Sequence, residues 1–141
     1  MAISANKISQ DNPVALRAFV FMDAVAVSQT NVAFARFRPG FRGEIVSVRA
    51  SARTVNGYSV PEVRIVAAAA NAGQNVLAAG LTPTAVASAT PALGALQTTR
   101  ALRRFTETQE ILLHLTSGGT APVNVRVEIV VRPFPLNGEA G

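Results

Sequence analysis

Val123-Asn124-Val125-Arg126-Val127-Glu128-Ile129-Val130-Val131-Arg132 is the stretch that decides the fold of this chain. Val123, Val125, Val127, Ile129 and Val131 fall on one face, and Asn124, Arg126, Glu128, Val130 and Arg132 on the other. A helix cannot produce that two-residue period, so the segment is a β-strand with one buried face. Just upstream, Ile111, Leu113 and Leu115 oppose Leu112, His114 and Thr116. The link Ser117-Gly118-Gly119-Thr120-Ala121-Pro122 is rich in turn formers, and the spacing predicts a hairpin. Pro133 and Pro135 lack the N–H that a ladder needs, so pairing is expected to end there and the tail 133–141 to leave the sheet.

The same period recurs toward the N-terminus. From Glu44 to Thr54, Val46, Val48, Ala50 and Ala52 lie on one face, with Ser47, Arg49, Ser51 and Arg53 opposite. Asn56-Gly57 is a strong turn signal, and from Val60 to Val66 the residues Val63 and Ile65 oppose Glu62 and Arg64. Another hairpin is predicted, with Arg49, Arg53, Glu62 and Arg64 together on its solvent side. Asn31 to Arg38 sets Val32, Phe34, Arg36 and Arg38 against Ala33, Ala35 and Phe37, and Pro39-Gly40 turns the chain. Val14 to Met22 is rich in β-formers and reads as a short strand. Met1 to Pro13 has neither period and is expected to be an extended arm.

The middle, Ala67 to Arg104, fits short helical turns by its alanines and loops by its Gly and Asn content. It suits a connection lying flat against another protein, and equally a plain surface loop. Thr98 to Phe105 reads as strand or turn and carries Arg100, Arg103 and Arg104. The sum is about six to eight short strands without a long amphipathic helix or an internal repeat, which predicts an all-β chain. Two packed antiparallel layers bury one face of each strand, so the expected architecture is a β-sandwich with jelly-roll topology. One domain spans 1–141, with an N-terminal arm (1–13) and a C-terminal tail (133–141).

The composition agrees with a single folded domain: 141 residues, 49% hydrophobic and only 15% charged. No Cys excludes disulfides and thiolate metal sites, and a single His leaves only carboxylates as additional ligands, so neither metal nor cofactor is expected. Thirteen basic against eight acidic residues give a net charge of +5, which favours an anionic partner. Lys7 is the only lysine. The arginines suit bidentate contacts with carboxylate or phosphate, although a bias toward Arg and Ala codons would leave the same trace. Ile65 to Thr99 is uncharged, but Asn71, Gly73, Asn75, Gly80, Pro83, Pro91 and Gly94 interrupt it too often for a membrane span. Met1 to Pro13 lacks the apolar core of a secretory signal, so a soluble compartment and no membrane contact are expected.

Catalytic constellations are sparse. His114 lies in a strand and would need a nucleophile and an orienting acid beside it. Glu107 and Glu110 read as solvated charges, and neither a GxGxxG nor a Walker-type glycine loop occurs. A non-enzymatic role follows. The strongest binding feature is Phe34-Ala35-Arg36-Phe37-Arg38-Pro39-Gly40-Phe41-Arg42, where rings alternate with guanidinium groups as on a single-stranded nucleic-acid platform. Phe37, however, points away from Arg36 and Arg38, which favours a core ring beside a basic rim. A single-stranded nucleic-acid-binding β-domain is therefore the alternative reading, and direct nucleic-acid binding is not the leading expectation.

Two stretches carry a family resemblance. Phe41-Arg42-Gly43-Glu44-Ile45-Val46-Ser47-Val48 is similar to the F-x-G-x-I-x-x-V strand start of the small β-sandwich decoration, or cement, proteins that coat tailed-bacteriophage capsids. Phe105-Thr106-Glu107 through Leu115 and on to Val125 resembles their closing hairpin, and Asn71 to Leu81 is similar to their Ala/Gly-rich connection. The resemblance implies a virion protein on the outer surface of the capsid. It would be made in the host cytoplasm, bind assembled major capsid protein as a homodimer and brace contacts between capsomers. Arg36, Arg38, Arg42, Arg100, Arg103 and Arg104 are the residues expected to meet capsid carboxylates. Phe134 and Leu136 of the tail are expected to add apolar burial.

Overall fold

Residues 15–25, 29–52, 58–82, 84–85, 91–117 and 123–134 are described by a computed structural model. They form ten strands: β1 (Arg17–Val25), β2 (Gln29–Phe37), β3 (Gly43–Ala52), β4 (Val63–Val66), β5 (Gly73–Asn75), β6 (Thr84–Ala85), β7 (Ala92–Leu93), β8 (Arg104–Phe105), β9 (Glu110–Ser117) and β10 (Val123–Pro133). A single 3-10 turn, Arg100–Arg103, precedes β8, and no α-helix occurs among the described residues. No helix there is long and apolar enough to cross a membrane.

Two sheets pack face to face. The larger runs β1-β10-β3-β6, with β7 and β8 also pairing with β3, and the smaller runs β2-β9-β4-β5. Pairing is nested: first strand with last, second with second-last, β3 with the short strands β6 to β8, and β4 with β5. This is a jelly roll, an antiparallel ribbon rolled so that most successive strands alternate between sheets. The two-residue parallel contact of β3 with β6 is the exception.

That winding overturns both predicted hairpins. β9 pairs with β2 and β4 in one sheet, whereas β10 pairs with β1 and β3 in the other. Likewise β3 and β4 belong to opposite sheets, so Arg49 lies on a different layer from Glu62 and Arg64. The chain crosses from one sheet to the other between β3 and β4 and between β9 and β10, which sets each apolar row against another. Asn56-Gly57, Arg53, the loop 118–122, the arm 1–13 and Leu136 lie outside the described residues.

The core is the space between two central strands. Val125, Val127, Ile129 and Val131 of β10 face inward, as do Ile111, Leu113 and Leu115 of β9, all almost wholly buried. Fully burying a side chain of this size contributes about 1.5–3 kcal/mol of hydrophobic free energy. Phe37 of β2 stacks on Phe19 and Phe21 of β1, with ring centroids 4.6 and 5.1 Å apart, and closes one side of the sandwich. The other side is closed by the uncharged middle, whose described residues form no α-helix and are not a detached surface loop. Its residues Val76, Leu77 and Leu81 are buried in the core, and Leu81 exchanges backbone hydrogen bonds with Val60.

Two bulges shift the alternation that a strict period assumes. Between β10 and β3 the register jumps from Val130↔Ser47 to Val131↔Ile45, which makes Val46 the extra residue. Ile45, not Val46, therefore enters the core, where it is fully buried, and Val46 is only half-buried. On β2 the pairs Ala33↔His114 and Ala35↔Leu113 leave Phe34 unopposed. Val32 then shares the inward row with Ala35 and Phe37, and Phe34, partly buried, packs against the core. At the far end, Pro133 still pairs with Gly43, and the Phe134 N–H donates to the Arg42 carbonyl at 2.8 Å. The chain thus stays on the sheet beyond the expected exit at Pro133.

Gly43 makes this corner possible. A Cβ there would lie 2.7 Å from the Arg132 carbonyl oxygen and 2.9 Å from the Phe105 ring. Neither a ladder carbonyl nor a buried ring has room to retreat. Gly43→Ala is expected to destabilise the fold by about 1–3 kcal/mol, read as a lower denaturant midpoint with an unchanged slope.

Candidate functional site

The six arginines singled out from the sequence do not form one surface. They divide into two clusters, each built around a carboxylate.

The first cluster surrounds Glu44, at the start of β3. Because Ile45 turns into the core, Glu44 lies on the outer face of the larger sheet, between Arg132 of β10 and Arg104 of β8. It is nevertheless only 2% exposed. The 3-10 turn lays Arg100 and Arg103 over it. Arg100 donates from Nε and Nη2 to Oε1 at 3.2 and 2.7 Å, Arg103 Nη2 stands 3.3 Å from Oε2, and Arg132 Nη2 donates to Oε1 at 3.0 Å. Gln74 of β5 holds the turn in place through the carbonyls of Ala101 and Arg104, each at 3.3 Å. Burial by itself pushes the Glu44 carboxyl up, but the hydrogen bonds from Arg100 and Arg132 and the charges of Arg100 and Arg103 prevail and hold it below the ordinary value. Reciprocally, the hydrogen bond to Glu44 raises the pKa of Arg100.

Arg42 and Arg104 stand beside this cluster without a described acidic partner. Together with Phe105, Thr106 and Phe134 they line a shallow depression of about 190 Å³. The guanidinium groups of Arg104 and Arg132 lie over the Phe134 ring, 5.6 and 5.7 Å from its centroid. Nη2 of Arg42 and Nε of Arg104 are buried without a hydrogen-bond partner among the described residues. Three guanidinium groups therefore share one carboxylate, and two more stand beside it without a described acid.

The second cluster covers the outer face of the smaller sheet. Arg36 donates to Glu110 Oε1 at 2.7 Å and to Asn71 Oδ1 at 2.6 Å, while Arg38 Nη2 is 4.0 Å from Glu110 Oε2. The Ala69 N–H also donates to Glu110 Oε1, at 2.9 Å, from a turn in which Ala69 takes a left-handed φ of 65°. Arg64 pairs with Glu62, which also accepts from Asn31. Leu112 lies opposite Arg36 on one side and Arg64 on the other, and is 1% exposed. The arginine stems supply apolar cover to the sheet while their heads remain polar. The Ala69 N–H and Arg36 hold the Glu110 carboxyl low, and the Arg64 hydrogen bond does so for Glu62.

His114 is 7% exposed, and its Nδ1 meets Asn31 Oδ1 at 2.9 Å. It sits beside the Glu62–Arg64 pair and lines neither this depression nor the smaller one at Phe34 and Arg36. Among the described residues no group of three or more His, Asp or Glu side chains could hold a metal ion. Phe134, expected as an apolar anchor for a partner, is 8% exposed and already packed within the chain. Glu44, Glu110 and Arg132 are what sequence reasoning passed over. Glu110 looked solvated, and the opposition of Glu44 to Arg132 follows from a register that no single strand reveals.

Comparison of the chain with protein families, with curated proteins and with solved structures finds no match.

Removing the Glu44 charge unbalances the first cluster. Glu44→Gln is expected to cost on the order of 2 kcal/mol, less than for a fully buried pair, because Arg100 and Arg132 reach solvent and can rehydrate. Equilibrium unfolding of the variant measures this. Glu44, Glu62 and Glu110 all titrate below their ordinary value of 4.5, so each binds fewer protons folded than unfolded. Their stabilisation is complete above about pH 5 and is lost as the pH falls through the lowered native values. Thermal midpoints are expected to be level from pH 7 to about pH 5 and to fall below it; a rise in that acid range would contradict the ion-pair assignments.

Proposed function

We propose that this chain is a non-enzymatic virion protein that binds the outside of an assembled major capsid protein shell, as a homodimer, and stabilises contacts between capsomers. The observation that carries the reading is the Arg42–Arg104 depression, whose guanidinium groups have no described acid and whose walls are the rings of Phe105 and Phe134. A carboxylate side chain from a protein surface complements it in charge, and the rings complement the aliphatic stem of that side chain. Arg38, half-exposed beside Glu110, supplies a second contact of the same kind on the other layer. On a shell with many equivalent positions, modest affinity at each copy is enough for full decoration.

The single-stranded nucleic-acid reading is weaker, because the rings of its candidate platform are already engaged. Phe37 stacks on Phe19 and Phe21, Phe34 packs against the core, and Phe41 meets Phe105 edge-on at 5.9 Å with Arg17 over its face.

The structure also selects the variants. Charge reversal at Arg103 would set a second carboxylate against buried Glu44 and damage the fold, so it is not a clean probe of binding. Arg42→Gln with Arg104→Gln, and Arg38→Glu separately, bring no new carboxylate to Glu44. Co-sedimentation with undecorated shells should show saturable, fixed-stoichiometry binding of the native chain. The double variant should bind at least about tenfold more weakly while its circular dichroism is unchanged. Absence of binding by the native chain would reject the proposal, and salt-sensitive oligonucleotide binding in its place would favour the alternative.

A further inference from the structure

β1 is the outermost strand of the larger sheet, and all nine of its residues pair with β10 without a bulge. Among the described residues nothing pairs with its other edge. A long, regular edge is a template for another strand, because it presents a row of backbone donors and acceptors. β2, the neighbouring edge of the smaller sheet, is interrupted by two register shifts and is a poorer template.

The sequence of β1 is self-complementary about Val20. Phe19 and Phe21 flank it, Ala18 and Met22 come next, and the opposite charges Arg17 and Asp23 close the segment. An antiparallel second copy centred on Val20 places Phe19 opposite Phe21, Ala18 opposite Met22, and Arg17 opposite Asp23, each pair occurring twice. Sheet geometry permits this. Arg17, Phe19, Phe21 and Asp23 share the register row of the core-facing Val131, Ile129, Val127 and Val125, while Ala18, Val20 and Met22 share the outer row. A two-fold axis at Val20 keeps both rows in phase across the junction. Sliding by one residue would set the core-facing row against the outer one. Sliding by two would put Arg17 opposite Phe21 or Val25 and lose both charge pairs.

Exposure singles out the same strand. Val20 is 43% and Leu16, just before β1, is 61% exposed, and with Leu93 they are the exposed large hydrophobic residues of the described chain. Phe19 and Phe21 themselves are only half-buried at the edge of the sandwich. The Arg17 guanidinium lies over the Phe41 ring, 4.9 Å from its centroid.

We infer that β1 is the strand through which two copies of this chain join, antiparallel about Val20, so that their larger sheets become one continuous sheet. The contact is isologous: one strand meets itself, with two Arg17–Asp23 pairs at the ends and four phenyl rings between them. It gives the homodimer proposed above a location and a register. It needs no capsid, however, so each reading can fail without the other.

Sedimentation equilibrium of the purified full-length chain at micromolar concentrations tests it. The native chain should be dimeric. Val20→Lys, at a position exposed enough for the monomer to accept it, brings two ammonium groups together at the axis and should weaken dimerisation by about tenfold or more. Arg17→Asp should also weaken it, and adding Asp23→Arg should restore it. In a separate experiment that tolerates a loss of affinity, Val20→Cys should oxidise to a covalent dimer, whereas Ala18→Cys, which meets Met22 and not itself, should not. A native chain that stays monomeric would overturn the inference, as would a dimer indifferent to Val20→Lys or equal crosslinking at both positions. A β1 dimer without affinity for shells would overturn the capsid reading and leave this one standing.

Discussion

The apolar contact between β9 and β10 is the interaction on which everything else rests. Each is an inner strand of its own sheet, flanked on both sides, so its position fixes that of its neighbours. Ile111, Leu113 and Leu115 on one strand and Val125, Val127, Ile129 and Val131 on the other make the two layers a single body. With these rows face to face, β1 and β3 are set against β10, and β2 and β4 against β9. The remaining short strands then close the open side. Polar residues on the outer faces are held at defined positions only because the inner rows cannot slip by one residue without exposing the core.

The outer faces carry the second organising feature, two carboxylates each shared by several arginines. In the Glu44 cluster the acid is covered and the arginines form the cover, which lets an anion sit almost dry on a solvent-facing layer. The arginines that pair with it come from two separate places along the chain, the 3-10 turn and the end of β10. The cluster thus ties the last strand and the irregular middle to the start of β3. Arg42 and Arg104 are left over from that arrangement, and this surplus, not the total number of arginines, leaves positive charge without a described acid at the corner.

Strand location was legible in the residues; strand partnership was not. The two-residue period located the segments of β2, β3, β4, β9 and β10, because half-buried strands must alternate, and a run of β-forming residues located β1. Turn formers mark where a chain reverses, but a reversal within a sheet and one across a sandwich use the same residues, and so both hairpins were misassigned. Val46 and Phe34 were assigned to the wrong faces for a related reason: a bulge adds one residue to a strand without any compositional trace. The short strands β5 to β7 escaped notice since two or three residues cannot display a period. At the site, the arginines themselves were visible. Which of them were already engaged by Glu44 or Glu110 depended on cross-strand register, and register is a property of pairs.

Nested pairing also governs the order of events during synthesis. Arg17 pairs with Val131, so β1 must wait for β10, which leaves the ribosome much later, before this ladder can form. Until β10 emerges, a nascent chain carries β1 without that partner, and adjacent chains on one polysome hold such strands close together. Closure of the larger sheet therefore joins distant parts of the polypeptide, a topology that makes folding slow.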